Sequence, residues 1–334
     1  MVIFAQNLDM IFSENFELIN DTNFDHIAMD IFQFQAKNND VYNTYLKLLG
    51  VNLNSIKKID QIPFLPIQFF KSHQILSSQE KVQEIFLSSG TTGMHQSKHY
   101  VTDIQMYENS YLKGFQYFYG NIRDYIILAL LPNYLERKGS SLVYMVDDLI
   151  KKSNSTESGF YLNNLKDLSD KLTDLDRKNK KILLLGVSYA LLDLIEYKTF
   201  NLKNTIIMET GGMKGRRKEL VKDELHQILS KGFGVDKIHS EYGMTELLSQ
   251  AYSKGNGLFK TPPWMKILTR DTEDALTILP QNRTGGINVI DLANINSCSF
   301  IATQDLGKIH PDGTFEILGR FDNSDIRGCN LMVV

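Results

Sequence analysis

The residues of this chain best suited to chemistry begin with one stretch, Ser88-Ser89-Gly90-Thr91-Thr92-Gly93-Met94-His95-Gln96-Ser97-Lys98. Glycines let a backbone turn sharply and approach an anion closely. The N–H groups of such a turn, with the hydroxyls of Ser88, Ser89, Thr91 and Thr92, can then donate inward. Lys98 adds a compact positive charge on a flexible stem. This is the composition of a loop wrapped around a polyphosphate. The spacing Gly-x-x-x-x-Gly-Lys-Ser/Thr is absent, which disfavours an ordinary P-loop NTPase. A polar turn between two core elements has the same composition, so the stretch alone leaves both readings open.

Further segments have compositions suited to a nucleotide. In Thr210-Gly211-Gly212-Met213-Lys214-Gly215-Arg216-Arg217 the glycines would let a flat base lie against the backbone, and three cations could meet phosphate or carboxylate. The alternative there is a strand-to-helix turn with solvated charges. Ser240-Glu241-Tyr242-Gly243-Met244-Thr245-Glu246 offers an aromatic face, a hydroxyl and a carboxylate in one loop. A carboxylate beside phosphates is a common way to hold Mg²⁺; the alternative is a helix start capped by Thr245 or Glu246. Asp305 and Arg320 could each bind a ribose or a phosphate, or serve as turn residues.

The elements that must position these residues read as follows. At 334 residues, with 43% hydrophobic and 22% charged, the chain has the composition of a soluble globular protein of about two domains. A net charge of -3 gives no general attraction to nucleic acid or anionic lipid. The N-terminus lacks a secretory pattern, and no apolar run approaches membrane-spanning length. Cys298 and Cys329 are too few for a disulfide framework, and a cytoplasmic location is expected. The first eighty or so residues look mainly helical, with aromatics at Phe12, Phe16, Phe24, Phe32 and Phe34. Pro63 and Pro66 then force 62–71 to be extended. Beyond the glycine loop, apolar runs at 125–131, 181–186 and 204–208 read as strands buried on both faces. They alternate with helices, one carrying Leu165, Leu168, Leu172 and Leu175, another presenting Leu220, Val221, Leu225, Ile228 and Leu229 on one face. An α/β fold with a mostly parallel sheet follows, and its ligands belong beyond the carboxyl ends of the strands. From Trp264 onward short strands and the turn His310-Pro311-Asp312-Gly313-Thr314 suggest an antiparallel β subdomain. The expected division is 1–75, a mainly helical segment; 76–263, an α/β core; and 264–334, the β subdomain and tail.

Taken together and in order, these segments resemble the adenylate-forming superfamily of acyl and aryl ligases and luciferases. Ser89-Gly90-Thr91-Thr92-Gly93 with Lys98 is similar to its phosphate loop, and Tyr242-Gly243-Met244-Thr245-Glu246 to its Tyr-Gly-x-Thr-Glu motif. Asp305 stands in for the aspartate of Thr-Gly-Asp, with Gln304 departing from the usual glycine. Gly319-Arg320-Phe321-Asp322 resembles Gly-Arg-x-Asp. Residues 62–71, 132–142, 210–216 and 326–331 look closer to one branch, the acyl-protein synthetases of bacterial bioluminescence and their relatives. The resemblance implies the large N-terminal domain of that fold, with ATP and Mg²⁺ as cofactors. Ser88, Ser89, Thr91, Thr92 and Lys98, with the backbone of Gly90 and Gly93, would hold the β- and γ-phosphates. Gly211 and Gly212 would lie against adenine with Tyr242 stacked on it, Gly243 turning the chain beside it. Thr245 would touch the α-phosphate, Glu246 would hold Mg²⁺, and Asp305 and Arg320 the ribose.

One departure is that full-length ligases of the superfamily continue past Gly-Arg into a small domain carrying a catalytic lysine, whereas this sequence stops at Val334. Lys98, Lys214 or Arg216 is the expected replacement for that cation. In the bioluminescence branch a cysteine near the C-terminus accepts the acyl group and passes it to a partner reductase, and Cys329 lies in the matching place. The expected function is therefore activation of a carboxylic, in the first instance fatty, acid and its transfer through Cys329 to a partner protein, a reductase or a carrier. Transfer to coenzyme A or a carrier without an acyl-cysteine, and nucleotide binding without catalysis, are the alternatives. Cys298, in an apolar context, reads as core.

Overall fold

The structure, a computed structural model, describes residues 18–89, 96–131, 138–162, 164–211 and 220–321. It opens with two helices, Phe24–Asn38 (α1) and Asp40–Leu48 (α2), the second capped by the Asn39 side chain, which accepts from the Tyr42 N–H. The expected helical character ends there. Short 3-10 turns lead to a two-residue strand, Leu65–Pro66 (β1), and one helical turn, Phe69–Ser72 (α3). The extended reading of 62–71 thus holds through its second proline, after which nothing in the sequence forbids a helical turn.

Glu84–Leu87 (β2) and Lys98–Val101 (β3) pair antiparallel with Leu87 opposite Lys98. The glycine loop is therefore the connection of a β-hairpin. Asp103 then caps Ile104–Tyr119 (α4), its carboxylate accepting from the N–H groups of Gln105 and Met106.

The α/β part follows as Ile126–Leu130 (β4), Ser141–Ser153 (α5), Gly159–Phe160 (β5), Leu165–Arg177 (α6), Ile182–Gly186 (β6), Ser188–Tyr197 (α7), Thr205–Glu209 (β7), Lys222–Phe233 (α8) and His239–Tyr242 (β8). The strands are parallel in the order β5-β4-β6-β7-β8. Every residue of β4 and β6 is buried, as helices on both faces require. The apolar face of α8 differs from the expected one. Leu225 and Leu229 are buried, but Val221 is 74% exposed and Ile228 40% exposed. Val221 is only the residue before the helix, and Ile228 projects from the edge of a face defined by Leu225, His226, Leu229 and Phe233.

From Trp264 onward the region joins the α/β part through the sheet itself. Ala251–Ser253 (β9) pairs antiparallel with β8, and Phe259–Lys260 (β10), Met265–Arg270 (β11), Thr284–Asp291 (β12), Phe300–Ile309 (β13) and Phe315–Arg320 (β14) extend it in the order β9-β10-β14-β13-β12-β11. The described residues thus form a twelve-stranded mixed sheet. The 310–314 turn closes β13 onto β14, with Asp312 Oδ1 accepting from the Thr314 N–H at 3.0 Å.

The N-terminal helices are tied to the end of this sheet. β1 lies parallel to β13, Leu65 beside Ile301. Gln35, wholly buried, accepts from the Ser299 N–H at 2.9 Å and donates to the carbonyls of Asn294 (3.1 Å) and Ile295 (2.8 Å). Gln35→Leu keeps the volume and leaves these backbone groups without partners, at about 1–3 kcal/mol for a buried group. A loss of about 2 kcal/mol in unfolding free energy is expected from the shift in urea midpoint.

Candidate functional site

The sites expected from the sequence fall where the strands end. At the base of the glycine hairpin the Ser88 N–H donates to the Ser97 carbonyl (3.1 Å), the Ser97 N–H to Ser88 Oγ (2.9 Å) and Gln96 Nε2 to the Ser88 carbonyl (2.9 Å). The Ser88 hydroxyl thus closes the hairpin and retains its own proton to donate. Ser89 and Lys98 are exposed beside it. The Leu87 N–H donates to the Gly139 carbonyl at 2.7 Å, and Phe86 packs edge-on against Tyr107 and Tyr144, so the ribbon is fixed to α4 and α5. Gly90, Thr91, Thr92, Gly93, Gly212, Lys214, Arg216 and Cys329 lie outside the described residues, as does the 132–137 stretch.

Three residues from three separate motifs meet at one carboxylate. The Tyr242 hydroxyl donates to Asp305 Oδ2 at 2.8 Å, and Arg320 Nε donates to Asp305 Oδ1 at 3.1 Å. Asp305 and Arg320 are cross-strand neighbours on β13 and β14, and Tyr242 ends β8. The Tyr242 ring stands edge-on to Phe259 and Phe315, 5.9 Å from each. Burial first, and then the Asp305 charge, push the phenol up, so it remains the donor. Each Asp305 oxygen keeps a lone pair for a further donor, such as a ribose hydroxyl.

After Tyr242 the chain passes through a turn, with Leu247 N–H on the Met244 carbonyl at 3.1 Å, and not into a helix. The capping alternative for Thr245 and Glu246 is therefore excluded. Glu246 is 5% exposed. Burial pushes its carboxyl above the usual range, against a hydrogen bond with Ser97 and the charges of Arg320 and Lys71. A single buried carboxylate adjoining the glycine hairpin has the chemistry to hold Mg²⁺. His99, next to Lys98 on β3, faces the turn: its Nδ1 stands 2.8 Å from the Thr245 carbonyl, its Nε2 3.0 Å from Asn294 Oδ1. Asn294 Nδ2 donates to the Glu246 carbonyl at 2.8 Å, and Asp291 accepts from the N–H groups of Leu248 (2.8 Å) and Ser249 (3.0 Å).

On the parallel side Glu209, at the end of β7, is wholly buried. Its carboxylate receives the Gly211 N–H at 2.7 Å, Ser188 Oγ at 3.3 Å and Lys222 Nζ at 3.1 Å, with His226 Nε2 at 3.4 Å. Burial alone would raise it; Lys222, with hydrogen bonds from His226 and Ser240, outweighs that and holds it well below the usual range. Gly211 has φ +73°, a conformation that favours glycine, and a side-chain carbon placed on it would meet nothing within 4 Å. The adjoining Thr210 Oγ1 is buried with no hydrogen-bond partner among the described residues. Glu241 lies between these groups, 8% exposed, with burial and then the Glu209 charge pushing it up to about 8 against the pull of Lys222. A side-chain carbon on Gly243 would fall 2.4 Å from Glu241 Oε1, so any larger residue there would displace the Glu241 carboxylate.

Residues 3–334 match the family described as acyl-protein synthetase, LuxE. The chain belongs to the LuxE acyl-protein synthetase family. The long-chain-fatty-acid–luciferin-component ligase of Vibrio harveyi is 23% identical over 327 residues, covering 90% of this chain and 84% of that one. Among solved structures, ATP-bound MatB from Rhodopseudomonas palustris superposes with a TM-score of 0.54 at 19% identity, covering 73% of this chain and 49% of its own. The long-chain-fatty-acid–CoA ligase FadD1 from Archaeoglobus fulgidus gives 0.52 at 14% identity, covering 73% and 52%. O-succinylbenzoate coenzyme A synthetase, MenE, from Bacillus subtilis, solved with ATP and a magnesium ion, gives 0.50 at 17%, covering 73% and 51%. This LuxE-family chain spans about half the length of those structures, and the likeness establishes the fold: the adenylate-forming α/β architecture expected from the motifs. Among the described residues no helix is long and apolar enough to cross a membrane.

Sequence reasoning assigned no role to His99, Asn294, Asp291, Glu209 or Glu241. Glu241 stood inside the Ser240–Glu246 segment and Glu209 between the 204–208 run and the glycine-rich segment after it, each at the end of a strand, where the position itself was the signal. His99, Asp291 and Asn294 carried none, because their partners are backbone atoms far away in the chain. Cys298 is core as expected, wholly buried, with burial pushing its thiol up to about 12.

Glu241 gives a pH signature. Its folded value of about 8 lies above the roughly 4.3 of an unfolded glutamate, so the folded state binds the extra proton and its contribution to stability is lost as pH rises between the two. Glu241→Gln removes that loss. Its melting temperature should exceed the wild type's by a margin that grows from pH 5 to pH 8 and then levels off, as thermal denaturation at stepped pH would record.

Proposed function

We propose that this LuxE-family protein joins a long-chain fatty acid to AMP at the expense of ATP, and that Cys329 then takes the acyl group as a thioester for delivery to a partner protein, a reductase or a carrier. The convergence of the Tyr242 and Arg320 side chains on the Asp305 carboxylate, with Glu246 within reach of the Arg320 charge and hydrogen-bonded to Ser97 at the base of the glycine hairpin, carries this reading. Family membership supports the acyl-protein branch.

In the first step a carboxylate oxygen of the acid attacks the α-phosphorus. An O–P bond forms, the bond to the bridging oxygen breaks, and pyrophosphate leaves. The nucleophile is already ionised near neutral pH, so no general base is needed. What the chain supplies is the gathering of two anions and the stabilisation of the charge that develops. Ser88, Ser89, Thr91, Thr92 and Lys98 hold the β- and γ-phosphates with the backbone of Gly90 and Gly93, and Lys214 adds a cation near the reacting phosphate. Thr245 donates to the α-phosphate. Gly211 and Gly212 lie under adenine with Tyr242 against it and Gly243 leaving room, while Asp305 and Arg320 take the ribose hydroxyls. Glu246 holds Mg²⁺, which when bound neutralises charge on the phosphates. In the second step the Cys329 thiolate attacks the acyl carbon, the C–S bond forms, the C–O bond to phosphate breaks and AMP leaves. Arg327, close in sequence, favours the thiolate.

Incubation with ATP, Mg²⁺ and a series of labelled fatty acids should release pyrophosphate and leave label on the chain that hydroxylamine removes. Cys329→Ser should lose the label and keep a first turnover of pyrophosphate release; equal labelling of this variant would refute the thioester step. Glu246→Gln should slow pyrophosphate release by about 10²-fold or more, the scale of losing one preorganised charge-stabilising group, and an unchanged rate would remove its role at Mg²⁺.

A further inference from the structure

We propose that His99 and Asn294, by holding the Thr245 and Glu246 carbonyls, are positioning residues that fix the Thr245–Glu246 turn against the phosphate hairpin and thereby set the affinity for the divalent ion. The inference rests on the adenylation reading above and assigns a role to residues that reading leaves idle. The segment between Tyr242 and Ala251 contains no helix or strand, yet 246–250 is buried. Buried backbone groups need partners, and here side chains from outside supply them in succession. His99 takes the Thr245 carbonyl, Asn294 the Glu246 carbonyl, and Asp291 the N–H groups of Leu248 and Ser249. Asn294 also lies beside the ring, its Oδ1 3.0 Å from His99 Nε2, so the three supports stand together across β3, the end of β12 and the 3-10 turn that follows it.

His99 is the member that reaches the phosphate side. It follows Lys98 directly on β3, and the hairpin base at Ser88 and Ser97 is only two residues away along the strand. A carbonyl only accepts, so Nδ1 carries the ring proton toward Thr245. Phe70 stands edge-on to the imidazole at 5.8 Å and closes it from water. Any shift of the hairpin is therefore passed through the ring to the backbone on which the Glu246 carboxylate stands. Groups that orient a metal ligand from behind change metal affinity by about 10–100-fold when lost.

The test is a calorimetric titration of Mg²⁺ into the ATP-loaded protein. His99→Phe keeps the aromatic contact and removes the hydrogen bond to the Thr245 carbonyl. It should bind ATP without Mg²⁺ within about twofold of the wild type and need roughly 10–100-fold more Mg²⁺ for half-saturation. His99→Gln, which can again donate to the Thr245 carbonyl, should recover most of the loss. A purely structural role would lower the melting temperature and leave the Mg²⁺ curve in place, and that result overturns the proposal. Should His99→Phe fail to fold, Asn294→Ser is titrated instead, and an unchanged Mg²⁺ curve for it overturns the proposal equally. A wild-type protein that binds no Mg²⁺ with ATP would overturn the adenylation reading itself, and this role with it.

Discussion

A carboxylate withdrawn from water must be met by donors or by opposite charge, and two such groups stand on either side of β8. Asp305 is met by Tyr242 and Arg320, Glu209 by Gly211, Lys222, His226 and Ser188. The donors come from elements widely separated in sequence, so satisfying each charge also draws together the segments whose compositions suit a nucleotide. Glu241, between them, has no hydrogen-bond donor among the described residues. It responds in the other way open to a buried acid, by keeping its proton up to about 8.

The location of the site follows from how the sheet changes direction. Strands β4 to β8 run parallel, so their outgoing loops collect at one edge. At β8 the pattern ends, and β9 returns antiparallel beside it. The connection between them cannot borrow ladder hydrogen bonds from either half. It is held by single side chains, and that is what leaves a buried carboxylate, Glu246, on irregular backbone beside the hairpin.

The parts of this arrangement legible in the sequence were those with local signals. All-apolar runs marked β4 and β6, the glycine-rich segments marked the strand ends, and Pro311-Asp312-Gly313 marked the β13–β14 turn. The order of motifs was enough to resemble the adenylate-forming fold. What was not legible depended on distance in the chain. The glycine loop looked like a strand exit, and its closure as a hairpin needed the partner strand that begins at Lys98. The side of α8 that faces the core was misjudged at Val221 and Ile228, because Val221 precedes the first helical residue and Ile228 sits at the edge of the stripe set by Leu225, Leu229 and Phe233. The supports of the Thr245–Glu246 turn were silent for the same reason: a histidine in a strand and an asparagine in a turn do not announce which carbonyls they will meet.

Contact between the two ends of the described chain has a consequence for biogenesis. Gln35 meets Ser299, 264 residues later, Phe32 packs edge-on against Phe300, and Leu65 pairs with Ile301. As the chain leaves the ribosome, α1 and α2 emerge long before the strand that covers them. Their apolar faces stay uncovered until that strand has been made, the condition under which nascent chains depend on chaperones and are slow to reach a native state.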